Sequence, residues 1–265
     1  MFVHPNFDPV ALQLGPISIH WYGLMYVFGF LGVYLYGSYR IKKTASLSKR
    51  GWTDERVSDL IFYGALGAVL GGRLGYVLFY KPAEYLADPL QIIYINQGGM
   101  SFHGGLLGVI FAMVLFARKE KFGFFEVADF VAPLVPIGLF FGRCGNFINQ
   151  ELWGKATDLP WGMVFTNGGP MPRHPSMLYE AVLEGPVLLL VLAWVARKPR
   201  HSGMIAGTFL CGYAIARILV EFVRVPDVHL NYILLNWVTM GHLLSLPMIV
   251  YGLYLIFNKR KPSSS

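Results

Sequence analysis

Charge is scarce in this sequence. Only 14% of its 265 residues are Asp, Glu, Lys or Arg, where an ordinary soluble domain carries about 25%. Cysteine is scarcer still, with Cys144 and Cys211 alone. Two thiols so far apart exclude a disulfide framework or a cysteine-rich metal cluster. A packing role is expected for each, even for Cys144 beside Arg143. No His/Cys set has zinc spacing, no glycine-rich loop ends in a phosphate-cradling lysine, and no GxSxG elbow occurs. Zinc, nucleotide-driven and serine-hydrolase chemistries therefore lack their residues. No basic residue precedes the first apolar run after Met1, which argues against a cleaved signal peptide.

What the chain has instead is apolar length. It is 55% hydrophobic, with a mean hydropathy of +0.49, and its charges come in clumps between apolar runs of about 20 residues, the length a helix needs to cross a bilayer. The expected fold class is an all-α polytopic membrane protein with seven transmembrane helices, over 18–39, 57–79, 99–117, 127–143, 176–195, 203–223 and 238–257. They form one membrane domain over 1–265, with a small extracytoplasmic lobe, 144–175, inserted. The net charge of +7 would suit nucleic acid only on a soluble face. Here the basic residues flank spans, so no nucleic-acid partner is expected. Fifteen Lys and Arg lie in 40–56, 118–126, 196–202 and the tail (Lys259, Arg260, Lys261), against Lys81, Lys155, Arg173 and Arg224 on the other side. By the positive-inside rule the C-terminus is cytoplasmic and the N-terminus periplasmic.

The polar residues inside the spans sort by depth. His20, Tyr22, Arg73, His103, Arg143, Tyr179, Glu180, Glu184, Tyr213, Arg217 and Glu221 all fall in the outer half, and Asp129 alone lies toward the cytoplasm. An arginine in an apolar span costs ~2.5–3.5 kcal/mol on insertion scales, so each needs a partner. Glu180, Glu184 and Glu221 are the available carboxylates, and Arg217 and Glu221 stand four apart on one helix. Arg143 has no carboxylate within reach on its own helix, which leaves room for a bound anion. A guanidinium fork suits phosphate, and the depth suggests a phospholipid headgroup. The alternative is a set of Arg–Glu pairs that only tie helices together. His103, in Gly98–Gly105 (GGMSFHGG), is either a structural histidine or a proton acceptor that neighbouring glycines leave approachable. Gly67, Gly71 and Gly75 share a helix face and predict close helix packing. A transporter would also carry intramembrane arginines, but it needs a midplane site or inverted repeats, and this polar set is one-sided.

Five ordered segments carry a resemblance. His20–Gly23 (HWYG), Gly98–Gly105, Gly142–Gly154 (GRCGNFINQELWG), Arg173–Glu180 (RHPSMLYE) and Gly212–Asp227 (GYAIARILVEFVRVPD) together resemble the bacterial prolipoprotein diacylglyceryl transferases over nearly the whole chain. The resemblance implies transfer of a diacylglyceryl group from phosphatidylglycerol to the lipobox cysteine of a preprolipoprotein, at the periplasmic side of the cytoplasmic (inner) membrane. It implies that Arg143 and Arg217 bind phosphate, that Asn146, Glu151 and Gly154 complete the signature, and that Tyr22, His103, Tyr213 and Glu221 are further site residues. Arg73 joins them as the third intramembrane arginine, and His103 is the expected base for the acceptor thiol. Such chemistry needs no metal and no organic cofactor.

Overall fold

The computed structural model describes residues 2–94, 98–226, 233 and 237–258. Asp227 of the last motif, and Lys259, Arg260 and Lys261 of the basic tail, lie outside the described residues. The chain is mostly helical and divides into two compact units, residues 1–35 with 129–262, and residues 36–128.

Among the described residues, five helices are long and apolar enough to cross a membrane: α3 (Asp54–Phe79), α5 (Phe102–Glu120), Ser176–Val195, α10 (Met204–Glu221) and α11 (Met240–Phe257). A sixth arises if α6 (Phe124–Val131) and α7 (Val135–Ile148), bent by 47°, count as one span. The bend falls where Pro133 has no N–H to give the helix and Pro136 enters the first turn of α7. The expected span 18–39 is α1 (Trp21–Lys43), a helix that is not among those five. Its start comes later than expected because Val10–Leu14 (β2) and Ile17–His20 (β3) form a hairpin. The turn is Gly15-Pro16, with Gly15 at φ 60°, as a two-residue hairpin loop with glycine first requires.

In the unit of residues 36–128, which also holds the short helices α2 (Ala45–Lys49) and α4 (Pro82–Ala87), α3 and α5 cross with almost no space between backbones. A Cβ on Gly67 would come 2.5 Å from the Gly108 carbonyl oxygen, and one on Gly75 would come 2.8 Å from the Gly104 Cα. The predicted glycine face is thus a packing face. Elsewhere in this unit the buried ring of Trp52 stacks on Phe122 at 4.8 Å, and Arg56 Nε donates to Glu120 at 2.8 Å.

The other unit holds α7, α10, α11, and the segment from α8 (Ser176–Val182) through α9 (Leu188–Val195). Asp129 ties this unit internally. Its Oδ2 accepts the Gly203 N–H at 2.7 Å and its Oδ1 the Ala206 N–H at 2.8 Å. An anion there satisfies orphan donors and opposes the positive end of the α10 dipole. The N-terminal strand β1 (Phe2–Val3) runs parallel to β4 (Met163–Val164). His4 clamps this strand: Nδ1 accepts from the Asn6 N–H at 3.0 Å, and Nε2 lies 2.9 Å from the Phe147 carbonyl. Burial holds His4 below its ordinary value of 6.5, against the pull of that carbonyl.

Candidate active site

The site starts from a defect in a helix. Between α8 and α9, residues Leu183–Val187 widen into a π-helical turn, where Gly185 leaves helical geometry (φ −91°, ψ −109°) and Pro186 has no N–H to donate. Such single-turn bulges recur at functional sites. Gly185 also lets the turn close on α7, since a Cβ there would sit 2.9 Å from that of Phe140. Glu180 before the bulge and Glu184 within it are both completely buried.

Three arginines converge on these carboxylates. Arg143, from α7, places Nε 3.1 Å from Glu180 Oε2 and Nη2 3.4 Å from Glu184 Oε2. Arg217, from α10, pairs with Glu180 Oε1 through Nη1 and with Glu221 Oε2 through Nη2, the latter at 2.9 Å. Arg224, just beyond α10, reaches Glu180 Oε1 at 3.0 Å. Three guanidiniums thus meet three carboxylates. Arg143 and Arg217 keep 17% of their side chains exposed. A guanidinium has five N–H donors, so each retains donors beyond its carboxylate contacts for an anionic ligand. Tyr213, stacked on Phe209 at 5.9 Å, lies within electrostatic range of Glu184 and both arginines.

The Gly142–Gly154 segment builds the neighbouring wall. Glu151 is exposed, and its carboxylate accepts from Asn146 Nδ2 at 3.0 Å and Asn149 Nδ2 at 3.2 Å. Gln150 and Leu152 on either side take left-handed backbone, φ 56° and 60°, a strain of order 1–3 kcal/mol per residue that tends to mark functional segments. Gly154 sits between two backbone segments, at His174 and Val223. Its N–H reaches the His174 carbonyl at 2.8 Å, and a Cβ would come 2.5 Å from the Val223 carbonyl oxygen. Any other residue would push the lobe off the end of α10. A cleft of about 580 Å³ opens beside Tyr22 and Glu151, with amides and hydroxyls of Asn6, Asn149, Gln150 and Thr166 on its wall. Tyr22 lies within electrostatic range of both Glu151 and Arg143, which joins cleft and cluster. In the lobe, Arg173 stacks over Trp153 at 4.1 Å and donates to the Gly168 carbonyl at 2.7 Å.

Known proteins are similar to this chain over almost its whole length. The model of the prolipoprotein diacylglyceryl transferase family matches residues 9–258. The chain belongs to that family. A phosphatidylglycerol–prolipoprotein diacylglyceryl transferase of Solidesulfovibrio magneticus is 56% identical over 258 residues, 97% of this chain and 96% of that one. The protein of the same name from Bordetella bronchiseptica is 56% identical over 266 residues, covering 99% and 100%. That from Pseudomonas paraeruginosa is 54% identical over 256 residues, covering 97% and 95%.

Of the residues expected from the prolipoprotein diacylglyceryl transferase resemblance, Tyr22, Arg143, Asn146, Glu151, Gly154, Tyr213, Arg217 and Glu221 belong to one unit. Arg73 and His103 belong to the other. His103 is exposed in the first turn of α5, its ring 5.6 Å from that of Phe102. Arg73 is buried and donates to backbone carbonyls: Ile92 at 2.9 Å, Gln91 at 2.6 Å, Gly98 at 2.5 Å, and Tyr94 and Gly99 at 3.2 Å. Its anion-like partners are thus carbonyl dipoles of the segment before α5. Arg143, which has no carboxylate on its own helix, takes two from the next one. Three participants escaped sequence reasoning. Arg224 follows Arg217 by seven residues, a same-face spacing, but its place beyond the apolar span groups it with the outer segments. Thr239 and His242 approach Glu221 from α11, and their Thr-x-x-His spacing is the only local signal.

Proposed function

We propose that this chain transfers the diacylglyceryl group of phosphatidylglycerol to the cysteine thiol of a preprolipoprotein lipobox, the first step of lipoprotein maturation. The sulfur–carbon bond forms as the bond from that glycerol carbon to phosphate oxygen breaks. A thioether remains on the acceptor, and glycerol phosphate departs. The leaving group changes from a phosphodiester to a monoester and gains charge. Groups that hold the monoester more tightly than the diester therefore lower the barrier.

The observation that carries this reading is the convergence of Arg143 and Arg217 on one buried carboxylate, Glu180. The shared anchor fixes the two forks relative to each other, so their spare donors face a ligand already oriented. Because the cluster balances three cations with three anions, selectivity for phosphate rests on those donors rather than on net charge. Tyr22, Asn146, Glu151 and Tyr213 line the approach, and Gly154 holds the lobe against α10. The cleft beside Glu151 takes the acceptor peptide, whose backbone suits its amide and hydroxyl wall. His103 is assigned the thiol proton, because thiolate is the nucleophile. We further assign seven crossings, a periplasmic N-terminus, a cytoplasmic C-terminus and a periplasmic-side site in the bacterial inner membrane. The support for that topology is the distribution of Lys and Arg along the chain.

The test is direct. Purified protein, phosphatidylglycerol and a lipobox peptide are incubated, and mass spectrometry follows the diacylglyceryl mass on cysteine. Arg143→Ala and Arg217→Ala each lower the rate ~10²–10³-fold, the usual loss for a group stabilising transition-state charge. Near-normal transfer by both variants ends the phosphate assignment. A normal rate and pH profile for His103→Gln ends its role as base.

A further inference from the structure

We infer that Thr239 and His242, at the start of α11, are positioning residues that set the carboxylate of Glu221 and, through it, the guanidinium of Arg217. The inference rests on the assignment of Arg217 to the lipid phosphate.

Glu221 is 5% exposed, and each of its oxygens has a different partner. Oε2 faces Arg217 Nη2 at 2.9 Å, and Oε1 accepts the Thr239 hydroxyl at 2.7 Å. Two partners on opposite oxygens fix the plane of the carboxylate, and that plane fixes where Arg217 points. A hydroxyl has one proton to give, and Thr239 gives it here.

Thr239 is itself held by a reciprocal lock. Its side chain accepts from the backbone of His242, and His242 Nδ1 accepts from the Thr239 N–H at 3.3 Å. This is the capping-box arrangement, with histidine where Glu or Gln usually stands. His242 Nδ1 also lies 3.0 Å from the Thr239 hydroxyl oxygen. The His242 ring is wedged edge-on against Phe222 at 5.0 Å and Trp237 at 5.6 Å. Between them Gly241 brings the helix against the carboxylate, since a Cβ there would come 2.6 Å from Glu221 Cδ. Thr239 and His242 are 3% and 7% exposed, so water does not compete freely for these bonds.

Capping alone would need only the oxygen of Thr239 as an acceptor. The proton donated to Glu221 is surplus to that task and joins the helix end to the arginine cluster. Loss of that bond frees Glu221 to turn and Arg217 with it. The consequence falls on the step in which the phosphate gains charge.

Steady-state transfer by the full-length protein, normalised to folded enzyme, tests this. Thr239→Val lowers kcat on the order of tenfold and leaves KM for phosphatidylglycerol within about twofold, the pattern for an interaction made in the transition state. Thr239→Ser, which keeps the donor, stays within about threefold of the parent. In a Glu221→Gln background Thr239→Val adds less than about twofold, because the route through Glu221 is already cut. His242→Gln preserves the lock and His242→Leu does not, and this pair decides the matter if Thr239→Val does not accumulate folded. An unchanged kcat for Thr239→Val and His242→Leu, or a full further loss in the Glu221→Gln background, overturns the inference. An active Arg217→Ala enzyme overturns the phosphate assignment beneath it. An inactive Arg217→Ala beside a normal Thr239→Val removes only the positioning role.

Discussion

The Glu180 carboxylate, completely buried, stands 3.1 Å from Nε of Arg143. Its other oxygen receives Arg217 and Arg224, so one acidic side chain serves three cations from α7 and the end of α10. A buried ion pair contributes little net stability, but removing one partner strands the other. Glu180→Ala takes a shared carboxylate from all three, and leaves Arg143 with Glu184 and Arg217 with Glu221. Thermal unfolding in detergent is expected to show a loss of ~3–5 kcal/mol, with transfer abolished. Glu180→Gln keeps the volume and an acceptor, and falls between that variant and the parent in stability. An unfolding temperature for Glu180→Ala equal to the parent's would mean the three arginines do not depend on this carboxylate.

Asp129 offers a control far from this chemistry. It accepts from Gly203 and Ala206 through separate oxygens. Replacing a helix-capping acceptor by alanine costs ~1–2 kcal/mol. Asp129→Ala is expected to lose that amount. Asp129→Asn, with one acceptor oxygen left, loses about half. Activity per folded molecule is unchanged in both. Chemical or thermal unfolding measured alongside transfer separates the two effects.

What the sequence made legible follows the range of the physics. Arg217 and Glu221 are one helical turn apart, and they pair as that spacing predicts. The glycine stripe of α3 predicts close packing, and α5 answers it with Gly104 and Gly108. Arg143 was harder. Its carboxylates come from α8 and the π turn, and no local pattern announces which helix will lie alongside. The hairpin Val10–His20 was hidden because alternating apolar residues ran straight into the apolar start of α1. Periodicity cannot separate a strand from the first turn of a helix in so short a run. Arg73 misled by composition. Intramembrane charge suggests an ionic partner or ligand, yet the backbone carbonyls of Gln91, Ile92, Tyr94, Gly98 and Gly99 accept its protons.

The α3–α5 crossing predicts a sharp size limit at Gly71. A Cβ there would come 2.8 Å from the Gly108 Cα and 3.0 Å from its nitrogen. Backbone cannot rotate aside as a side chain can. Gly71→Ala is expected to cost ~1–3 kcal/mol, the range for overpacking a well-filled core, and Gly71→Leu to prevent accumulation of folded protein. Expression level and unfolding temperature in detergent check both. Gly64, which has open space around its missing Cβ, accepts alanine without loss.

Two histidines outside the spans give the lobe a pH dependence. Burial holds both His4 and His174 below the ordinary value of 6.5, and for His174 the charge of Lys155 pushes the same way. A depressed histidine binds its proton more readily unfolded than folded. Stability is therefore flat above the unfolded value, falls as pH drops through it, and levels off below the folded value. His4 also has a geometric reason to stay neutral. A proton on Nδ1 would face the Asn6 N–H, 3.0 Å away, and break the bond that folds the chain back after β1. The unfolding temperature of the parent is expected to hold steady from pH 8 to about 6.5 and decline below it. In His4→Gln the decline is shallower, because one of the two titrating groups is gone, while the starting stability is lower through loss of the strand clamp. A parent protein whose unfolding temperature rises as pH falls from 6.5 to about 5 would contradict the burial argument for both residues.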